Sequence, residues 1–328
     1  MAAPPRQRRR TVRRTGQGPA ARAVPAPALR SRAVSARATA PARRRASDLI
    51  DQILALDPGR RGIAAIARAG AAAAAAHALR GARRVLIVTG FTVANGTPET
   101  DGPPGAAVLG RALRRLGARV RYVTDRPNAP VLAAALETLG EPRPIVIYPD
   151  NGNVAPGVLA AERPTHLVAI ERPGRNRAGD YLNMRGESIA AWNAPLDDLF
   201  VVPSGATTVG IGDGGNEIGM GSARARFARL GRLQARIASV VRVDHLVVAG
   251  VSNWGGYGVA AALSQLTGRD LLHSAALERR LVQACVAAGA ADGVTRRREA
   301  TVDGLPLETH AAVVELLRWA GRSGIIRP

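Results

Sequence analysis

Short apolar runs rich in valine, isoleucine and leucine recur along the chain, separated by stretches with helical periodicity. The runs cover Arg84 to Thr89, Arg119 to Thr124, Pro144 to Tyr148, His166 to Ile170, Thr207 to Ile211 and His245 to Ala249. Most lack strict alternation, which is the pattern of strands buried on both faces of a parallel sheet. Strands separated by helical segments predict βαβ units. The expected fold is therefore α/β: a mostly parallel sheet flanked by helices, in a Rossmann-like three-layer arrangement. Ahead of the first strand, Leu49, Ile50, Ile53, Leu54 and Leu56 form one helical face that Asp57-Pro58-Gly59 breaks. An alanine-rich helix is expected from Gly62 to Leu79, another around Leu109 and Leu113, and another over Ala275 to Ala288.

Polar residues are not spread evenly about these strands. After them come TGFTVANGTPETDGPPG (89 to 105), YPDNGN (148 to 153), IERPGRNRAGDYLNMRG (170 to 186), IGDGGNEIGMG (211 to 221) and the glycine-rich turn GVSNWGGYG (250 to 258). Before them come plain connections such as RRLGA and GEPR. Glycine, acids, asparagine and arginine thus gather at the C-terminal ends of the strands, the edge where open α/β sheets bind ligands.

Composition removes several chemistries. The chain has 328 residues, and all 46 of its basic residues are arginine. Without lysine there is no Schiff base and no P-loop lysine. The single cysteine, Cys285, rules out an internal disulfide, a CxxC pair and a multi-cysteine zinc site. The net charge of +21 suggests nucleic acid until its distribution is read. Residues 1–46 hold 13 arginines and no acid, leaving 33 arginines against 25 acids beyond them. That tail is rich in alanine, proline and arginine and lacks apolar periodicity, so it is expected to be disordered. Its bias reads as compositional, since phosphate contacts give no reason to avoid lysine; a transit peptide is the next reading. No run of about 18 apolar residues spans the chain, so membrane insertion is not expected. A cytoplasmic protein of one α/β domain, residues 47–328, is expected, with a mitochondrial matrix location the alternative. No specific nucleic-acid partner is expected, and a homo-oligomer is open.

Three constellations carry candidate chemistry. Thr89 and Gly90 end the first strand and lead to Glu99 and Asp101, two carboxylates in one loop that suit acid–base or metal roles; Asp101 is equally placed to cap the following helix. Gly210-Ile211-Gly212-Asp213-Gly214-Gly215 is formally GxGxxG, but further glycines follow where a dinucleotide site needs a helix. Asp213 and Glu217 instead read as carboxylates held near a ligand or cation by close backbone, with Gly212, Gly214 and Asn216 beside them. Glu171, Arg172, Arg175, Asn183 and Arg185 form the third group, in which arginine forks suit an acidic ligand. Asn253 follows the last strand as a further lining candidate. The five histidines show no ligand spacing and are read as structural, and Cys285 as a small core residue.

The runs TGF…PETDGPPGA…LGRAL, IERPGR…NMRGESI, APLD and GIGDGGNEIGMG, with LDPGRRG ahead of them, resemble the D-glutamate cyclase C-terminal domain family over residues 48 to 328. The chain departs from the family pattern at Ala178 and Ser188. The resemblance implies an α/β domain and conversion of D-glutamate to 5-oxo-D-proline with loss of water. It implies a small acidic amino acid as substrate; the clustering of acids on one loop edge makes Glu99, Asp101, Asp213 and Glu217 the catalytic candidates for that chemistry. Thr89, Gly90, Glu171, Arg172, Asn183, Arg185, Gly212, Gly214, Asn216 and Asn253 are the substrate-binding candidates. Arginine or a divalent cation would neutralise the γ-carboxylate; Mg or Mn on Asp101, Asp213 and Glu217 suits all-oxygen donors. A nucleotide- or phosphate-binding α/β enzyme of other chemistry is the alternative.

Overall fold

The computed structural model describes residues 48–93, 95–150 and 153–322; the tail expected to be disordered lies outside them. The strands in chain order are β1 (Arg84–Thr89), β2 (Thr92–Val93), β3 (Thr97–Pro98), β4 (Arg119–Thr124), β5 (Ile145–Ile147), β6 (His166–Ile170), β7 (Thr207–Gly212), β8 (His245–Val248), β9 (Thr301–Val302) and β10 (Leu305–Pro306). The helices are α1 (Leu49–Leu54), α2 (Ile63–Ile66), α3 (Ala71–Leu79), α4 (Pro103–Arg115), α5 (Ala129–Thr138), α6 (Ala155–Glu162), α7 (Asp198–Val201), α8 (Arg224–Phe227), α9 (Arg232–Ile237), α10 (Ser252–Thr267), α11 (Ala275–Ala287) and α12 (Leu307–Arg322).

One parallel six-stranded sheet in the order β5-β4-β1-β6-β7-β8 organises the molecule. Every apolar run expected to be a strand is one. Side chains alternate across the sheet, so Val85 and Ile87 join the core beneath α1, α3, α4, α5, α10, α11 and α12. Leu86 and Val88 join a second core on the opposite face, with Leu159 of α6 and Leu199 of α7. This is the three-layer architecture that the uninterrupted apolar runs predict. The chain winds outward from β1 to β5, then returns to β6 on the other side of β1. That reversal opens a crevice at the C-terminal ends of β1 and β6.

Two expectations about helices are corrected. The single helix expected over Gly62 to Leu79 is two, because Ala67 is extended and Gly70 sits at φ 79°, where the first helix has ended and the second begins. The stretch 250–258, expected to be a turn, opens α10, whose first thirteen residues are all buried. Its glycines serve packing rather than turning. A Cβ on Gly256 would meet the Gly105 carbonyl oxygen of α4 at 2.8 Å, and one on Gly255 would meet Ile211 Cγ2 of β7 at 2.4 Å. Alanine at Gly256 would improve intrinsic helix propensity by about 1 kcal/mol, but here it presses on backbone that cannot rotate away. Overpacking of roughly 1–3 kcal/mol should win. Gly256→Ala is therefore expected to lower stability in urea unfolding; an unchanged or higher midpoint would show that α4 and α10 can separate at no cost.

The histidines are structural where the fold shows their contacts. His310 Nδ1 lies 3.0 Å from the indole nitrogen of buried Trp254, His273 Nε2 lies 2.7 Å from Glu278, and His166 Nε2 lies 3.0 Å from the Ala78 carbonyl. Cys285 on α11 is fully buried in the main core, with Sγ toward the Val131 carbonyl of α5. No helix among the described residues is long and apolar enough to cross a membrane.

Candidate active site

The loop after β1 turns at Gly90, whose N–H donates to the Glu171 carbonyl at 3.1 Å. It then runs through the β2–β3 ribbon to Glu99, whose N–H returns to the Phe91 carbonyl at 2.9 Å. Asp101 follows, and it caps a helix other than its own. Its oxygens accept from the amides of Ser252 (2.9 Å) and Asn253 (2.8 Å), the opening residues of α10. Asn253 Oδ1 in turn accepts from Gly102 and Gly105, at 2.9 and 2.8 Å, at the start of α4. Each helix start thus satisfies its free amides with a side chain from the other.

Glu171 directly follows β6 with φ at 42°, a conformation uncommon for a residue with a Cβ. The Ser252 hydroxyl donates to its Oε2 at 2.5 Å. Gly102 is left without a side chain here, since a Cβ would stand 2.8 Å from Glu171 Cβ. Glu99 is buried, at 7% exposure.

Asp213 follows β7, and Glu217 folds back so that Oε1 accepts from the amides of Asp213 (3.2 Å) and Gly214. Glycine is required on both sides of this fold-back. A Cβ at Gly212 would stand 3.0 Å from Glu217 Cδ, and one at Gly214 would stand 2.9 Å from Oε1. The glycines are the close backbone approach anticipated from the sequence. Asn216 Nδ2 donates to the Leu182 carbonyl at 2.7 Å, tying this turn to the loop that carries Asn183 and Arg185.

Two groups come from parts of the chain read only as turns or not singled out. Asp57 accepts from the amides of Arg61 (2.8 Å), Gly62 (2.8 Å) and Ile63 (3.1 Å), fixing the start of α2. Arg61 is thereby directed inward, with Nη1 2.5 Å from Asp213 Oδ2 and 2.9 Å from Asp303 Oδ2. Asp303 sits at the tip of the β9–β10 hairpin with φ at 54°, followed by Gly304 at 75°. The local signals were Asp-Pro-Gly ahead of Arg61 and the Asp-Gly hairpin pair at 303–304. Neither says that the two stretches meet.

Together these groups surround a cavity of about 270 Å³ lined by Arg61, Glu99, Glu171, Asp213, Glu217 and Asp303, with Asn183, Arg185, Asn216 and Arg296 around them and Phe91, Val93 and Met184 as apolar wall. Burial pushes the Glu99 carboxyl well above the usual range, with Asp303 and Asp101 adding to it. Burial does the same to Glu171, reinforced by Glu217 and Glu99. Asp213 is also raised by burial, although Arg61 pulls it back. Asp101 is pushed up to about 7 by burial and Asp303, against the amides it caps. Burial opposes the charge on Arg61, but Asp213 and Asp303 outweigh it and hold the guanidinium above its ordinary value. Such a cluster can take up and release protons near neutral pH.

Of the residues anticipated from sequence, Glu99, Glu171, Asn183, Arg185, Asp213, Asn216 and Glu217 line the cavity. Thr89, Gly90, Asp101, Arg172, Gly212, Gly214 and Asn253 stand outside the lining. Arg172 is fully buried, donating to the carbonyls of Gly90 (2.8 Å) and Ala194 (2.6 Å) and paired with Asp125 at 2.6 Å. It braces the loops instead of facing a ligand. Arg175 is likewise engaged, by Asp197 at 2.7 Å. The three acids anticipated as one metal set divide between two triplets: Asp101 with Asp213 and Asp303, and Glu217 with Asp213 and Glu171, each with oxygens within 4.8 Å of one another.

Comparison with known proteins agrees with the resemblance. The chain is 37% identical over 264 residues to the mitochondrial D-glutamate cyclase of Homo sapiens, an alignment covering 74% of this chain and 42% of the human protein. The chain thus spans less than half the length of that relative. Among solved structures, an exopolyphosphatase-related protein from Bacteroides fragilis is 10% identical, covering 77% of this chain and 60% of that one at a TM-score of 0.38. Exonuclease RecJ bound to manganese is 13% identical, covering 75% and 46% at a TM-score of 0.36. Residues 50–318 match the family described as D-glutamate cyclase-like, C-terminal, and the chain belongs to that family.

Proposed function

We propose that this chain is a hydro-lyase that cyclises D-glutamate to 5-oxo-D-proline. The observation that carries the reading is the set of buried carboxyls, Glu99, Glu171, Asp213 and Glu217, lining one pocket beside the Arg61 guanidinium. The substrate ammonium is drawn to such a pocket, and its nitrogen must lose two protons overall as it bonds to Cδ. One γ-oxygen leaves as water carrying two protons, so the reaction is neutral in protons. Glu99, buried at the pocket wall and outside the triplet of Glu171, Asp213 and Glu217, is assigned as the group that takes the amine proton and returns it to the departing oxygen. Arg61 stands where a guanidinium can oppose charge developing on the γ-oxygens. Arg185 and Arg296 at the pocket edge are assigned to the α-carboxylate.

A hard divalent cation, Mg or Mn, fits the donor set. Glu217 Oε2 is a buried carboxylate oxygen without a hydrogen-bond donor, and Glu171, Asp213 and Glu217 bring carboxylate oxygens within 4.8 Å of one another; such cations take oxygen ligands. When bound, it supplies positive charge that polarises carboxylate oxygen.

Chiral chromatography of D- and L-glutamate incubated with purified protein, with and without Mg²⁺ or Mn²⁺, tests the reading. Enzyme-dependent 5-oxo-D-proline is expected, and none from Asp213→Asn. No product under any of these conditions would overturn the cyclase reading.

A further inference from the structure

Asp213 belongs to two acidic triplets, and they are not equivalent. In the one with Asp101 and Asp303, Arg61 Nη1 sits 2.5 Å from Asp213 Oδ2 and 2.9 Å from Asp303 Oδ2. A guanidinium does not deprotonate in proteins, so this charge is permanent. The remaining member, Asp101, has both oxygens taken by the amides of Gly102, Ser252 and Asn253. That triplet already holds its cation.

The other triplet joins Asp213 to Glu171 and Glu217. The hydrogen-bond donors to Glu171 and Glu217 are one serine hydroxyl and two backbone amides, all neutral. Glu217 is 1% exposed, and with Oε1 pinned by amides its Oε2 has no donor. Asp213, 3% exposed, belongs to both triplets and is paired with Arg61. Glu171 and Glu217 have no ion-pair partner among the described residues; a buried carboxylate without a counter-charge is unfavourable, and three converging oxygens suit a hard cation.

We infer that the pocket binds one divalent cation per chain on Glu171, Asp213 and Glu217, with Arg61 filling the place where a second cation would otherwise sit. This deepens the proposed function and rests on it only for the use made of the cation.

Manganese is the probe. MnCl₂ is titrated into chelator-stripped full-length protein without glutamate, and unbound Mn²⁺ is read by electron paramagnetic resonance. One Mn²⁺ per chain is expected. Glu217→Gln and, as an independent variant, Glu171→Gln should each weaken binding by at least about tenfold, with folding checked by circular dichroism. Asp303→Asn should still bind one. No uptake, two ions per chain, or loss in Asp303→Asn with retention in Glu217→Gln would overturn the assignment. Because no substrate is present, a chain that binds Mn²⁺ yet makes no 5-oxo-D-proline would fail the functional reading alone.

Discussion

Exchanging Arg61 for methionine is expected to lower folding stability by about 3–5 kcal/mol at neutral pH, the cost of leaving a buried charge without its partner. The side chains of Arg61, Asp213 and Asp303 are 12%, 4% and 10% exposed, so water cannot replace the guanidinium. Methionine keeps the stem packed and removes only the charge. The loss should depend on pH, in a direction fixed by linkage. Without Arg61 the Asp213 carboxyl, already raised by burial, gains a folded-state pKa still further above its unfolded value near about 4. The folded protein then binds more protons than the unfolded one across that interval, so stability falls as pH rises through the folded values. Urea unfolding at about pH 5 and about pH 8 reads the difference, with the larger loss at the higher value. An equal loss at both would mean that Arg61 acts by packing and not by charge.

Glu99→Gln is expected to lower kcat for D-glutamate by roughly 10²–10⁴-fold, the usual contribution of a positioned base. Glutamine preserves the shape of the side chain, so the pocket should survive; it cannot take a proton from the amine. KM should move far less than kcat if Glu99 acts on the reacting nitrogen. A variant that keeps kcat but raises KM would reassign Glu99 to binding.

The sheet was legible because strands covered on both faces are Val/Ile/Leu-rich without strict alternation, and most of the six runs follow that; Arg119 and Arg121 interrupt β4, and the edge strand β5 leaves Ile147 44% exposed. The acids at the strand ends were legible for the related reason that parallel strands deliver their C-terminal loops to one edge. Two things were hidden. The glycines at 255, 256 and 258 look like turn residues, and only the approach of α4, β7 and α1 shows that they make room. The choice among arginines was hidden as well. Arg172 and Arg175 sit in the right loop yet are consumed by Asp125 and Asp197, whereas Arg61 meets Asp303 from 242 residues away. No local pattern encodes a pairing over that distance.

The exchange of caps between Asp101 and Asn253 ties two helix starts, at Pro103 and Ser252, into one unit. Neither end can fray alone, because opening one strips the other of its acceptor. Local unfolding here is then a joint event, close in free energy to opening the whole α4–α10 layer. Since Asp101 and Ser252 both stand against the acidic cluster, the pocket should inherit the rigidity of the core rather than the mobility of its loops.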